Sequence, residues 1–284
     1  MKFSNNNKGL FDQVSIECSK ITTQLYSTSF SLGILCLDKS LRDSIYSIYG
    51  FVRYADEIVD SFHDYNQKDL LDRFESETYK AISEGISLNP ILNSYQHIVN
   101  KYHIKLDLID KFLSSMRIDL TKKVHDDDSF ADYILGSAEV VGLMCLHVFC
   151  NGDDEQYELL RPNAMKLGAA FQKINFLRDA RADQNGLGRI YFPNVDFNNF
   201  NEETKQKILQ EIALDFKDGY AGIKRLPHEA RFGVYIAYIY YVALFKKIKN
   251  TPSRMLLTER IRVKNFTKMI LLVSSFFKYR MNLI

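Results

Sequence analysis

The chain has 284 residues, 46% of them hydrophobic, with 37 Lys and Arg against 35 Asp and Glu for a net charge of +2. That length and apolar share suit one large domain, residues 1–284, and no Pro/Gly/Ser-rich linker or internal repeat divides it. The near balance of charge excludes a nucleic-acid binder held by bulk positive potential, so any anionic ligand must be met by charges placed locally.

The start, "MKFSNNNKGLFDQ", lacks the apolar core of a secretory signal. After it, Asp38 reads as an N-cap for "KSLRDSIYSIYGFVRYADEIVD", a helix that carries Ile45, Ile48, Val52 and Val59 inward. Shorter helices are expected over Asn66 to Glu84, Ile91 to Tyr102 and Leu106 to Lys122, closed by Gly85, Asn89-Pro90 and the acidic loop Asp126 to Asp128. In that loop His125 beside three aspartates invites a metal reading, but its place before a helix favours N-capping. The run "SFADYILGSAEVVGLMCLHVFC" is apolar with small residues at Gly136, Ser137, Ala138 and Gly142, as expected for one helix deep in a bundle. A helix is expected from Glu155 to Asp183 with Pro162 near its first turns, followed by a loop through Gly186 and Gly188. Two or three more then run from Glu202 onward, broken by Pro227 and Pro252.

Strand-like alternation is scarce, so the fold class is all-α, a helical bundle. Cys18, Cys36, Cys145 and Cys150 form no CxxC pair and read as reduced thiols in a cytoplasmic protein. No run of about 18 apolar residues is expected to span a bilayer. The apolar tail "MILLVSSFFKYRMNLI" reads first as a final packed helix and second as a shallow contact with a membrane surface.

The chemistry gathers on two helices. Asp56 and Asp60 stand four apart in "YGFVRYADEIVDSF", and Asn175, Asp179 and Asp183 form a second four-residue series in "QKINFLRDARADQNGLGRIYFP". Positions four apart drift only about 40° around an α-helix, so each series points one way. Carboxylates set among apolar neighbours are costly unless paired or metal-bound, and two facing rows of oxygen suit a hard divalent ion. Ion pairing of Asp179 with Arg178 or Arg181 is the competing account, although it leaves Gln172 and Asn175 unexplained.

These motifs resemble the aspartate-rich motifs of the squalene/phytoene synthase family, D-x-x-x-D as "DEIVD" and N-x-x-x-D-x-x-x-D as "NFLRDARAD". The similarity extends through "YSTSFS", "YGFVR", "MRIDL", "YILGSAEVVG" and "GRIYFP", over roughly residues 20 to 270 in the family's order. The resemblance implies an isoprenoid synthase-type bundle with a central cavity. Asp56 and Asp60 would hold Mg2+, or Mn2+, from one wall, and Asn175, Asp179 and Asp183 from the other. Tyr49, Arg53, Tyr133, Gln172 and Arg178 would take catalytic positions, while Ser27, Ser29, Phe30, Arg53 and Tyr241 would contact substrate. Tyr26 stands where the family has histidine. Gly136, Ala138, Gly142, Gly168 and Ala169 would let prenyl chains pass close to helix backbones, although core packing accounts for them nearly as well. The basic stretch around Arg260, Arg262 and Lys264 could hold diphosphate but reads by default as a solvated face.

The implied reaction is head-to-head condensation of two prenyl diphosphates through a cyclopropylcarbinyl diphosphate. With two geranylgeranyl diphosphates it gives phytoene, the first step toward carotenoids, without NADPH. With two farnesyl diphosphates it gives dehydrosqualene, or squalene if NADPH supplies hydride. A more distant alternative is a non-catalytic assembly scaffold. The implied partners are prenyl diphosphates and a membrane surface that accepts the product, with no nucleic acid.

Overall fold

The computed structural model describes residues 7–182, 189, 191–193, 195, 200–258 and 260–281. Among these residues there are helices and no β-strand. Helix α1 (Asn7–Tyr26) ends where Ser27 caps α2 (Thr28–Leu35), its side chain accepting from the Phe30 amide. Asp38, Asn66 and Asn89 cap α3 (Lys39–Asp60), α4 (Gln67–Glu84) and α5 (Pro90–Tyr102), with Pro90 in the first position of α5. Gly85 closes α4 in the left-handed region at φ 71°. Helix α6 (Leu106–Thr121) follows, and Asp126 then forms a capping box with Ser129 at the start of α7 (Asp127–Ile134).

The single long helix expected next is interrupted. Between α7 and α8 (Val140–Cys150) lies a π-helical turn, Leu135–Glu139. The physical reason is close approach on both sides: a Cβ on Gly136 would meet the Lys111 carbonyl oxygen at 2.7 Å, and one on Gly168 would meet the Ala138 carbonyl oxygen at 2.8 Å. The segment Asp127–Cys150 is apolar and long enough by composition to cross a membrane, but 67% of its most apolar window is buried in the bundle, as for a core helix. Helix α9 (Asp154–Ala182) continues past Pro162, its ninth residue, close to where the sequence places it, because packing against its neighbours holds it beyond local preference. The chain closes with α10 (Glu202–Ile223), α11 (His228–Asn250), the short α12 (Ser253–Leu256) and α13 (Asn265–Arg280).

Two groups of buried side chains hold the bundle. One gathers Phe51, Tyr95, Phe112 and their neighbours from α3, α5, α6 and α8. The other gathers Ile174, Leu177, Phe216 and Tyr241 from α9, α10 and α11. Between them α3 and α9 face each other across an open space. All four cysteines are free, Cys145 and Cys150 buried and the other two partly so.

Candidate active site

The space between α3 and α9 is a cavity of about 380 Å³, within the usual range for small-molecule pockets. Its floor and sides are apolar, supplied by residues such as Ile34, Leu37, Val141, Leu146, Leu167 and Phe171. Its charged lining comes from Arg53, Asp56 and Asp60 of α3, Asp119 of α6, Arg178 and Asp179 of α9, and Arg189, with the amides Gln172 and Asn175 on the same stretch of α9; Ser137 and Asn163 also line it. The helical spacing does what the sequence implies, since each four-residue step returns a side chain to the cavity face.

Burial pushes the Asp56 carboxyl up to about 7, with Asp60 and Asp119 adding to the rise while Arg53 and Arg189 oppose it. Its side chain is still 31% exposed, but to the cavity, so the solvent it meets is confined. Arg53 sits 3.7 Å from Asp56, pairs with Glu57, and carries the Tyr26 ring 4.3 Å from its guanidinium carbon. Tyr26 therefore packs on a cavity cation.

On the opposite wall Asp179 is ion-paired, as the competing account held, to Arg178 at 2.5 Å and also to Arg260 at 2.7 Å. This ties one residue of the basic stretch to Asp179, while Arg260 stays half exposed and Arg262 and Lys264 lie on the solvated face that the sequence reading gave as the default. Asn175 is fixed between neighbours: the Tyr241 hydroxyl donates to its Oδ1 at 3.0 Å, and its Nδ2 donates to Gln172 Oε1 at 3.3 Å. Asp183 lies outside the described residues. Phe30, Tyr49, Phe171 and Tyr241 form an aromatic group in which Phe30 lies 4.8 Å from Tyr49 and Phe171 stacks on Tyr241 at 4.0 Å. Phe30, Tyr49, Tyr133 and Phe171 line the cavity. Tyr241, Ser27 and Ser29 do not, and Ser27 is spent on capping α2.

Two residues of the charged lining went unread in the sequence. Asp119 of α6 receives the Tyr133 hydroxyl on Oδ2 at 2.7 Å, and its other oxygen is buried without a hydrogen-bond partner. Burial lifts its carboxyl to about 7 against the pull of Arg189 and Tyr133. Arg189, only 6% exposed, donates to Asp60 at 2.7 Å and to the backbone carbonyls of Val59 and Asp119 at 3.2 and 3.1 Å. The signal was present in "MRIDL" and "GRIYFP", but neither stretch offers a helical series that would mark a wall.

The donor set fits a divalent ion of a particular kind. Among the described residues no three His, Cys, Asp or Glu side chains converge as a ready-made cage. One or two carboxylates per wall, in a cavity where burial disfavours their charge, match an ion such as Mg2+ that keeps water and shares substrate phosphate oxygens. Arg53 and Arg178 line the same cavity and Arg260 reaches Asp179 beside it, guanidinium groups of the kind that meet phosphate oxygens.

The model of the squalene/phytoene synthase family matches residues 23–267, and the chain belongs to that family. Phytoene synthase from Arthrospira platensis is 25% identical over 90% of each chain, and the chloroplastic phytoene synthase 1 of Solanum lycopersicum is 23% identical over 96% of this chain and 70% of its own. Among solved structures a dehydrosqualene synthase in complex with ligand superposes with a TM-score of 0.79 at 20% identity, covering 95% of this chain and 98% of that one. The fold is that of the squalene and dehydrosqualene synthases.

Proposed function

We propose that the protein condenses two molecules of geranylgeranyl diphosphate head to head to give phytoene, without NADPH. The observation that carries this reading is the composition of one cavity, whose carboxylates and arginines cluster on the last turns of α3 and α9 and at Asp119 and Arg189 while most of its other lining is apolar. Diphosphate groups belong with the carboxylates and arginines, and hydrocarbon belongs with the apolar remainder.

Asp56 and Asp60 on α3, with Asn175 and Asp179 on α9, are the residues that would hold Mg2+. The ion would supply Lewis-acid neutralisation of the leaving diphosphate. The chain's own groups do the rest. Arg53 and Arg178 hold the departing anion, while Tyr241 and Gln172 fix the orientation of Asn175. Phe30, Tyr49 and Phe171 present ring faces to positive charge developing on the substrate and keep water from it. Tyr133, pinned to Asp119, offers a hydroxyl oxygen in the cavity.

The two phytoene synthases support the C20 substrate. The competing reading, two farnesyl diphosphates, draws on the dehydrosqualene synthase fold. One assay separates them: purified protein with Mg2+ and either substrate, with and without NADPH, products identified by mass. A C40 hydrocarbon without NADPH is expected, and Asp56→Asn and Asp179→Asn should each lose most of it while remaining folded, a drop of about 100-fold or more as for loss of a charge-stabilising group. A C30 product moves the reading to farnesyl diphosphate, and full activity in both variants overturns the metal assignment. No product from a folded parent leaves the scaffold alternative.

A further inference from the structure

Arg53 is gripped from the side away from the cavity. Arg53 itself lines the cavity, whereas the two groups that hold it, Tyr26 and Glu57, line a second groove between α1, α3 and α4. Glu57 stands one turn further along α3 and accepts from Arg53 Nη2. Tyr26, the last residue of α1, lays its ring over the guanidinium with 4.3 Å between the ring centre and the guanidinium carbon, and is itself 53% exposed. A ring face over an arginine is an attractive contact as well as a wall.

The backbone fixes where that ring lies. Helix α1 approaches α3 closely because Gly50 has no side chain: a Cβ there would meet Ser19 Oγ at 2.6 Å. Seven residues on, α1 ends beside Arg53, and Ser27 pins the junction, its amide donating to the Thr23 carbonyl at 2.9 Å while its side chain caps α2. The ring therefore does not depend on Arg53 for its own place.

Arg53, by contrast, is under constraint. Its Nε is buried with no hydrogen-bond partner among the described residues, and its Nη1 is 3.7 Å from Asp56. A buried donor left unmade costs free energy, and a side chain free to turn would satisfy it. The stacked ring and the Glu57 carboxylate keep it from turning. We propose that Tyr26 is a positioning residue for diphosphate: its ring, with Glu57, backs the Arg53 guanidinium from outside so that the remaining donors are presented to an anion in the cavity. This inference rests on the catalytic reading above and adds to it a residue that does not line the cavity.

Titration calorimetry of the full chain with Mg2+ and inorganic diphosphate, with no prenyl substrate present, tests this apart from turnover. Tyr26→Leu keeps bulk without a π face and should raise the dissociation constant about fivefold to tenfold. Tyr26→Phe keeps the face and should stay within about twofold of the parent. Tyr26 is half exposed, so both variants should keep the parent's melting temperature. In an Arg53→Gln background, which has no guanidinium to position, adding Tyr26→Leu should change the constant by less than about twofold. An unchanged constant in Tyr26→Leu overturns the inference alone. So does a loss in Tyr26→Phe as large as in Tyr26→Leu, which would assign the effect to the hydroxyl, or the same loss with and without Arg53. Absence of binding by the parent overturns the catalytic reading and this inference together.

Discussion

Arg189 holds three pieces of the site with one guanidinium. Its Nη1 takes Asp60 and its Nη2 takes the carbonyls of Val59 and Asp119, so the final turns of α3 and α6 are joined through it. Lysine, a point charge on a flexible stem, cannot reproduce that fork. Removing a buried cation leaves Asp60 and Asp119 facing each other uncompensated, and losses of about 3–5 kcal/mol follow when one partner of a buried pair is removed. Arg189→Leu should therefore lose about 3 kcal/mol or more in urea unfolding. Adding Asp119→Asn to that variant should restore at least about 1 kcal/mol, because it removes one of the stranded charges. Strict additivity of the two substitutions would show that Arg189 and Asp119 do not act on each other.

The π-turn at Leu135–Glu139 raises a different question, because it ends in a carboxylate among helices. Burial pushes Glu139 up to about 7; Lys166 and Lys173 oppose the rise and Asp215 adds to it. Asp215 already takes both lysines, at 3.1 and 2.8 Å. The folded state therefore holds a proton on Glu139 over a range where the unfolded chain, with an ordinary glutamate near 4.5, has released it. Stability from this group is lost as pH rises from about 4.5 through 7, by up to about 3 kcal/mol. Glu139→Gln should unfold at higher urea than the parent at pH 8, with the gap shrinking below about 1 kcal/mol at pH 5. A gap that is constant with pH would assign the effect to packing. The same element shows where sequence reading stops. Capping by Asp38 and in the acidic loop at Asp126 was legible because each side chain acts on a backbone amide two or three residues away, whereas Asn66 and Asn89 were read only as helix boundaries and prove to be caps as well. The cavity-facing series was legible because it repeats at helical spacing. The π-turn was not, since widening one turn changes no residue type, and Arg189 was not, since a loop residue has no period to betray its partners.

At the scale of the molecule, carboxylates and amides from α3 and α9 line one cavity with aromatic and aliphatic side chains that cannot lower the cost of their charge. Asp56 and Asp119 both sit in surroundings that disfavour their charge, with burial the leading cause in each. A ligand that brings cations to this cavity removes that cost in the folded state alone, and so stabilises the whole fold by mass action. At a concentration 100 times its dissociation constant the gain is about 2.7 kcal/mol, which for a chain of this size raises the melting temperature by roughly 4–5 °C. Inorganic diphosphate with Mg2+ should produce such a rise, and either alone should produce much less, because the ion needs phosphate oxygens to complete its shell and the anion needs the ion to approach the aspartates. Asp56→Asn should melt at or above the parent temperature when free of ligand, since it deletes a disfavoured charge, yet should lose most of the rise with Mg2+ and diphosphate. Calorimetry on the two proteins under the four conditions measures both effects. An equal rise in the variant would mean that the diphosphate is held by the arginines of the rim without the α3 carboxylate, and the division of labour between the two walls would have to be redrawn.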